Sequence, residues 1–108
     1  MTSQDAFRHA DDLGPHKILH VYQPTIGLKG TLVLDNVAIG PAIGGLRMAP
    51  DVTTAECLRL ARAMTLKNAA ANLPYGGGKS GIVAPEGKVS AEQHRRNVGG
   101  FGKMIRRY

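Results

Sequence analysis

Two lysines twelve residues apart, Lys67 and Lys79, stand out for their company. Between Ala63 and Gly78 the only charge is Lys67, and the next is Lys79 itself. Surface lysines usually sit among other charged and polar groups, and lysine is rarely buried without a partner. An ammonium among apolar and small residues suits a group that meets an anion or exchanges a proton. At helical spacing Lys67 shares a stripe with Leu60, Met64 and Ala71. Such a lysine can simply snorkel to the rim of an apolar face. Its nearest polar neighbours, Asn68 and Asn72, are amides that cannot neutralise it, which favours a ligand-facing role.

Glycine surrounds the second lysine, in Gly76-Gly-Gly-Lys-Ser80. Gly78-Lys79-Ser80 imitates the end of a nucleotide-binding P-loop, but that loop needs a glycine where Leu73 stands and a strand leading into it. The segment before it reads as helix, so nucleoside triphosphate binding is rejected. A second glycine pair, Gly44-Gly45, lies in Ile39-Gly-Pro-Ala-Ile-Gly-Gly-Leu-Arg-Met48. It is either a turn at a strand edge or a backbone surface against which a small ligand rests. Sequence alone leaves both open.

The elements that would position these groups follow from local pattern. Residues 2–13 carry Ala6, Phe7, Ala10 and Leu13 near helical spacing and stop at Gly14-Pro15, which predicts a short amphipathic helix. Lys17–Gln23 and Leu28–Asp35 are rich in β-branched and aromatic residues, and the proline- and glycine-containing link between them predicts a hairpin. Thr53-Thr-Ala-Glu56 is a capping box, with Val52 and Cys57 placed as a hydrophobic staple, so a helix is expected from about 54 to 72. Pro74 then reads as a stop, followed by a run of three glycines and a lysine that enters a strand. Ser80–Ala84 reads as a short strand, and Pro85–Lys88 as a turn. Ser90-Ala-Glu-Gln93 is a second capping box, opening a helix through Val98, Phe101 and Ile105 that Gly99-Gly100 weakens. Together these predict one α/β domain, a mixed sheet with flanking helices.

Composition narrows the function. A single cysteine, Cys57, cannot form an internal disulfide and fits a reducing compartment, so the expected location is cytoplasmic. No apolar run approaches membrane-spanning length, and no His, Cys and carboxylate set has metal-ligand spacing. The net charge of +6 invites a nucleic-acid reading. Against it, aromatic residues are few, and much of the excess lies in Arg95, Arg96, Lys103, Arg106 and Arg107 near the end of the chain. That pattern is expected of a domain truncated at its C-terminal end, with an acidic remainder beyond it.

Three segments in register carry a family likeness: Gly40-Pro-Ala-Ile-Gly-Gly-Leu-Arg-Met48, Met64-Thr-Leu-Lys-Asn-Ala69 and Gly76-Gly-Gly-Lys79. From about Gly27 onward the sequence resembles the N-terminal domain of the glutamate/leucine/phenylalanine/valine dehydrogenases. The resemblance implies an α/β substrate-binding and oligomerisation domain of a homo-oligomeric enzyme. That enzyme would deaminate an L-amino acid oxidatively, with NAD or NADP bound by a C-terminal domain absent from residues 1–108. By the same resemblance Lys79 is the catalytic lysine and Lys67 binds the substrate carboxylate. Gly44, Gly45, Ile43 and Met64 would line the substrate. The family's catalytic aspartate falls beyond this chain. Ile43 departs from the glutamate branch, where a lysine before the glycine pair holds the side-chain carboxylate. Leaving that carboxylate unpaired in a dry pocket costs on the order of several kcal/mol. The implied substrate is therefore an apolar amino acid of the leucine, valine or phenylalanine type. A glutamate dehydrogenase, or an α/β module that binds without chemistry, are the alternatives.

Overall fold

The computed structural model describes residues 7–84 and 91–105. Five strands and two helices follow one another as β1 (Lys17–Gln23), β2 (Leu28–Leu34), β3 (Ala42–Ile43), β4 (Leu46–Ala49), α1 (Thr54–Ala70), β5 (Gly76–Val83) and α2 (Ala91–Ile105). The expected hairpin forms: β1 and β2 pair antiparallel, with Lys17 opposite Leu34 and Gln23 opposite Leu28. One 3-10 turn at Pro24–Ile26 joins them, closed by Gly27 at φ 64°. Proline presets the turn, and glycine takes the left-handed conformation without steric cost.

Strand β5 is the centre of the sheet. It runs antiparallel to β2, Leu34 facing Gly78 and Gly30 facing Ile82, and parallel to β3 and β4 along its other edge. The three glycines are thus strand, which begins three residues before the lysine expected to enter it. Glycine is depleted from strands because it offers nothing to pack, but here the empty side is required. A Cβ on Gly77 would fall on the Ala61 carbonyl and the Thr65 amide of α1. The helix therefore lies directly on the strand backbone.

Alternation along the strands sends successive residues to opposite faces. On one face Val33, Val52, Cys57 and Ala61 form a core under α1. On the other, Val21, Leu28, Ile82 and Phe101 pack under α2. Gly30 makes room for the Phe101 ring there. The result is the mixed sheet with helices on both faces.

Helix α1 starts as its sequence indicates. Thr53 accepts from the Glu56 amide at 3.1 Å, and both staple residues are buried in the same cluster. Only half of the capping box closes, because the Glu56 carboxylate turns to Arg47 at 3.0 Å. The helix ends at Ala70, two residues short of the expected stop, as Asn72 takes φ 57°. The buried stripe of α1 is Cys57, Ala61, Thr65 and Asn68. The stripe bearing Lys67 lies beside it, and Lys67 is exposed.

The predicted N-terminal helix does not form over residues 7–13, which make a 3-10 and turn segment with Phe7 exposed. Asp11 accepts the Leu13 and Gly14 amides, which turns the chain, and Arg62 holds its carboxylate from α1. Residues 2–6, the turn at 85–88 and the Ser90 capping box lie outside the described residues.

Candidate active site

Strands β3 and β4 flank the same edge of β5 in succession: Ile43 pairs with Gly77 and Leu46 with Ser80. Gly44 and Gly45 are the interruption between them, opposite Gly78 and Lys79. A Cβ on Gly44 would fall on the Gly78 carbonyl, so the break can approach β5 only as glycine. The Gly45 carbonyl accepts the Ser80 amide at 3.0 Å. A Cβ at Gly45 would stand 3.4 Å from the Lys79 Nζ. The ammonium thus lies over bare, exposed backbone.

Lys79 shares its face of the sheet with Gly77, Gly81 and paired Val33, the face that α1 covers. Ile43, paired with Gly77, points to the same face and is 39% exposed. On α1, Arg62 leans toward β2, where it bonds Asp35 at 2.8 Å. Lys67 follows five residues later, about 140° further round the helix at about 100° per residue. It is therefore on the opposite flank of α1, toward β3 and β4, with half-buried Met64 one turn earlier. Lys79, Ile43 and the Gly44-Gly45 backbone share one edge of one face, and Lys67 and Met64 lie on the flank of α1 turned toward that edge.

Charge sorts the cations. Arg47 is neutralised by Asp51 and Glu56, and Arg62 by Asp11 and Asp35. Lys67 and Lys79, like the exposed Lys29, Arg59 and Arg95, have no hydrogen-bonded or ion-paired partner among the described residues. Lys79 is half-buried, and its ammonium faces the exposed Gly45 backbone, where an anion or reacting group can reach it. Beneath it, burial pushes the Cys57 thiol up, the Glu56 charge adds to this, and Lys79 and Arg47 oppose it.

Sequence reasoning missed the polar cluster between α1 and the sheet at β2 and β5. Asp35 is buried at the end of β2, where it accepts the Thr65 hydroxyl at 2.7 Å and the Arg62 guanidinium. Asn68 donates to the Gly76 carbonyl at 2.9 Å. A signal was present: Thr65 and Asn68 follow Ala61 at helical spacing, opposite a strand with no side chains to meet. Asn68 was grouped with Lys67 as a neighbouring amide, but it faces the sheet.

A cleft of about 540 Å³ lies elsewhere, between the 3-10 turn and α2, lined by Ile26, Arg95, Arg96 and Gly100. Among the described residues no group of His, Cys, Asp and Glu could hold a metal ion, and no helix is long and apolar enough to cross a membrane.

A family model described as the Glu/Leu/Phe/Val dehydrogenase dimerisation domain matches residues 15–108. The chain belongs to the Glu/Leu/Phe/Val dehydrogenase family. It is 35% identical to a phenylalanine dehydrogenase of Thermoactinomyces intermedius over 91% of its own length. It is also 35% identical to a leucine dehydrogenase of Geobacillus stearothermophilus over 90%. It spans 28% of the length of each. Among solved structures it is similar to a hetero-hexameric glutamate dehydrogenase from Thermus thermophilus in a leucine-bound form. That similarity has a TM-score of 0.78 and 32% identity, covering 84% of this chain and 24% of that one. Fold and family thus agree with the motifs that carry Lys67 and Lys79.

Proposed function

We propose that this chain is the substrate-binding and oligomerisation domain of a cytoplasmic, homo-oligomeric amino-acid dehydrogenase. The enzyme carries out NAD(P)-dependent oxidative deamination of an apolar L-amino acid. The observation that carries this reading is the Lys79 ammonium, half-buried, without a carboxylate, and set over the Gly45 backbone.

In this reading Lys67 receives the substrate carboxylate. A fixed ammonium at the edge of an apolar surface attracts an anion more strongly than one in bulk water, because the effective dielectric is lower. Lys79 stands over the reacting carbon and moves a proton as the amine becomes an imine and then a carbonyl. Gly44 and Gly45 let the substrate backbone lie close. Met64 and Ile43 supply apolar contact, and Ile43 leaves no cation for a side-chain carboxylate, which separates this site from one built for glutamate.

The nicotinamide dinucleotide belongs to residues outside this chain. Its phosphates need a strand, a glycine turn and a helix N-terminus in sequence. Gly99, Gly100 and Gly102 instead lie inside α2, so the described residues do not fit that group.

The test is steady-state kinetics of the full-length enzyme. Lys67→Ala should raise the KM for the amino acid far more than that for the dinucleotide, and Lys79→Ala should collapse kcat. Unchanged amino-acid affinity in the first variant, or a retained kcat in the second, removes that lysine from the site.

A further inference from the structure

Helix α1 rests on a face of β5 that offers it no side chain at Gly77 or Gly81. Helices and sheets normally take their register from interlocking side chains. A bare glycine backbone gives a smooth contact along which a helix could slide, and one residue of strand is about 3.3 Å. A displacement of about 1 Å between reacting groups can cost about a hundredfold in rate. Packing of Cys57 and Ala61 with Val33 and Val52 seats the first half of α1 on the sheet; the half that carries Lys67 needs a further tie to β5.

Two buried side chains supply it. Thr65 accepts the Gly77 amide at 3.1 Å, and Asn68 donates to the Gly76 carbonyl at 2.9 Å. They bracket Lys67 on the helix and grip the strand two and three residues before Lys79. The Thr65 hydroxyl has one proton, and Asp35 fixes where it goes. Thr65 donates to Asp35 Oδ2 at 2.7 Å, against 3.3 Å to the Ala61 carbonyl, which leaves a lone pair for Gly77. The Asp35 amide in turn donates to the Gly77 carbonyl at 2.8 Å, and the Arg62 fork holds the carboxylate at 2.8 and 3.2 Å. Both backbone groups of Gly77 are thereby tied to this cluster. Threonine is a mediocre residue for a helix interior and can compete for the carbonyl four residues back, so helix formation alone does not account for it.

We propose that Thr65, oriented by Asp35, is a positioning residue that ties α1 to β5 at Gly77 and so sets the separation of the Lys67 and Lys79 ammonium groups. The proposal rests on the reading of those two lysines as substrate anchor and catalytic group. It requires the hydroxyl to matter to turnover beyond its contribution to folding. Losing the tie leaves Lys67 free to bind the carboxylate while Lys79 no longer meets the reacting carbon.

The experiment compares Thr65→Val, Thr65→Ser and Lys79→Ala in the full-length enzyme, with melting temperatures alongside steady-state kinetics. Thr65→Val keeps the shape and removes the hydroxyl. It should lower kcat at least about tenfold and leave the amino-acid KM within about threefold, while Thr65→Ser recovers most of kcat. If Thr65→Val does not fold, Thr65→Cys, with a poor acceptor in similar volume, should show the same loss confined to kcat. A kcat in the folded hydroxyl-free variant within about twofold of wild type overturns the positioning role, as does equal impairment of the serine variant. Retained kcat in Lys79→Ala instead overturns the reading beneath it.

Discussion

Lys67 and Lys79 were legible because an ammonium in uncharged company is conspicuous in a sequence. Asp35 and Thr65 were not, since a lone aspartate after a strand and a threonine in a helix are ordinary residues. Their meaning arises only when positions thirty residues apart meet at 2.7 Å. Ile43 lies between these cases: its position before the glycine pair is visible, and its shared face with Lys79 comes from the pairing with Gly77. An apolar wall there gains on the order of 25 cal/mol per Å² of apolar substrate surface buried. It rejects glutamate by stranding a carboxylate. The full-length enzyme assayed on leucine, valine, phenylalanine and glutamate should prefer one of the first three. Ile43→Lys should move relative kcat/KM toward glutamate by at least about tenfold. Glutamate as the best of the four substrates for the wild type would reverse this assignment.

At the scale of elements, β1, β2 and the start of α1 follow local rules of side-chain branching, turn chemistry and capping. Strand β5 breaks them. Its glycines weaken an isolated strand, yet partners on both edges and a helix laid on its backbone make glycine the residue that fits. Substitutions can weigh the two effects. At Gly77 a Cβ would meet the Ala61 carbonyl and Thr65 amide, backbone atoms that cannot move aside singly. At Gly81 it would meet side-chain ends, Val52 Cγ1 at 2.6 Å and Cys57 Sγ at 2.7 Å, which can give. Gly77→Ala should cost about 3 kcal/mol or more and Gly81→Ala about 1 kcal/mol, read as shifts in urea unfolding. Equal costs would show that α1 is not seated on the strand backbone at Gly77.

For the whole molecule, a mixed sheet with flanking helices was legible from the order of hairpin, helix, strand and helix. Which helix covers which face was not, since that depends on pairing across the chain. Nor was the clamp that attaches the N-terminal segment, where Arg62 reaches from α1 to Asp11 at 2.7 Å while bonding Asp35. The Arg62 hydrogen bonds, then the Leu13 amide, hold the Asp11 carboxyl well below the usual carboxylate range. A carboxyl depressed in the folded state stabilises fully above its unfolded value, about 4, and loses that contribution as pH falls toward the folded value. Stability should therefore decline on acidification below about pH 4, and Asp11→Asn should flatten that part of the profile. Identical melting profiles for the two proteins from neutral to acid pH would mean that the clamp does not hold in solution.

The same architecture divides labour between this domain and the rest of the proposed enzyme. In the proposed reading Lys67 on α1 is the substrate anchor and Lys79 on β5 the proton-transfer group, and neither the β5 glycines nor the α2 glycines meet the dinucleotide's requirement. Gly76–Gly78 lie inside a strand beneath α1, and Gly99, Gly100 and Gly102 lie inside α2, preceded by two turns of that helix. Purified residues 1–108 should accordingly show no saturable NAD or NADP binding by calorimetry and no amino-acid-dependent reduction of either, while remaining folded by circular dichroism. Self-association is compatible with this outcome, because oligomer contacts in the proposed assembly do not require the dinucleotide. Saturable binding of the dinucleotide to the folded fragment, or any turnover by it, would place the cofactor site within this chain and displace the assignment of Lys67 and Lys79 to substrate alone.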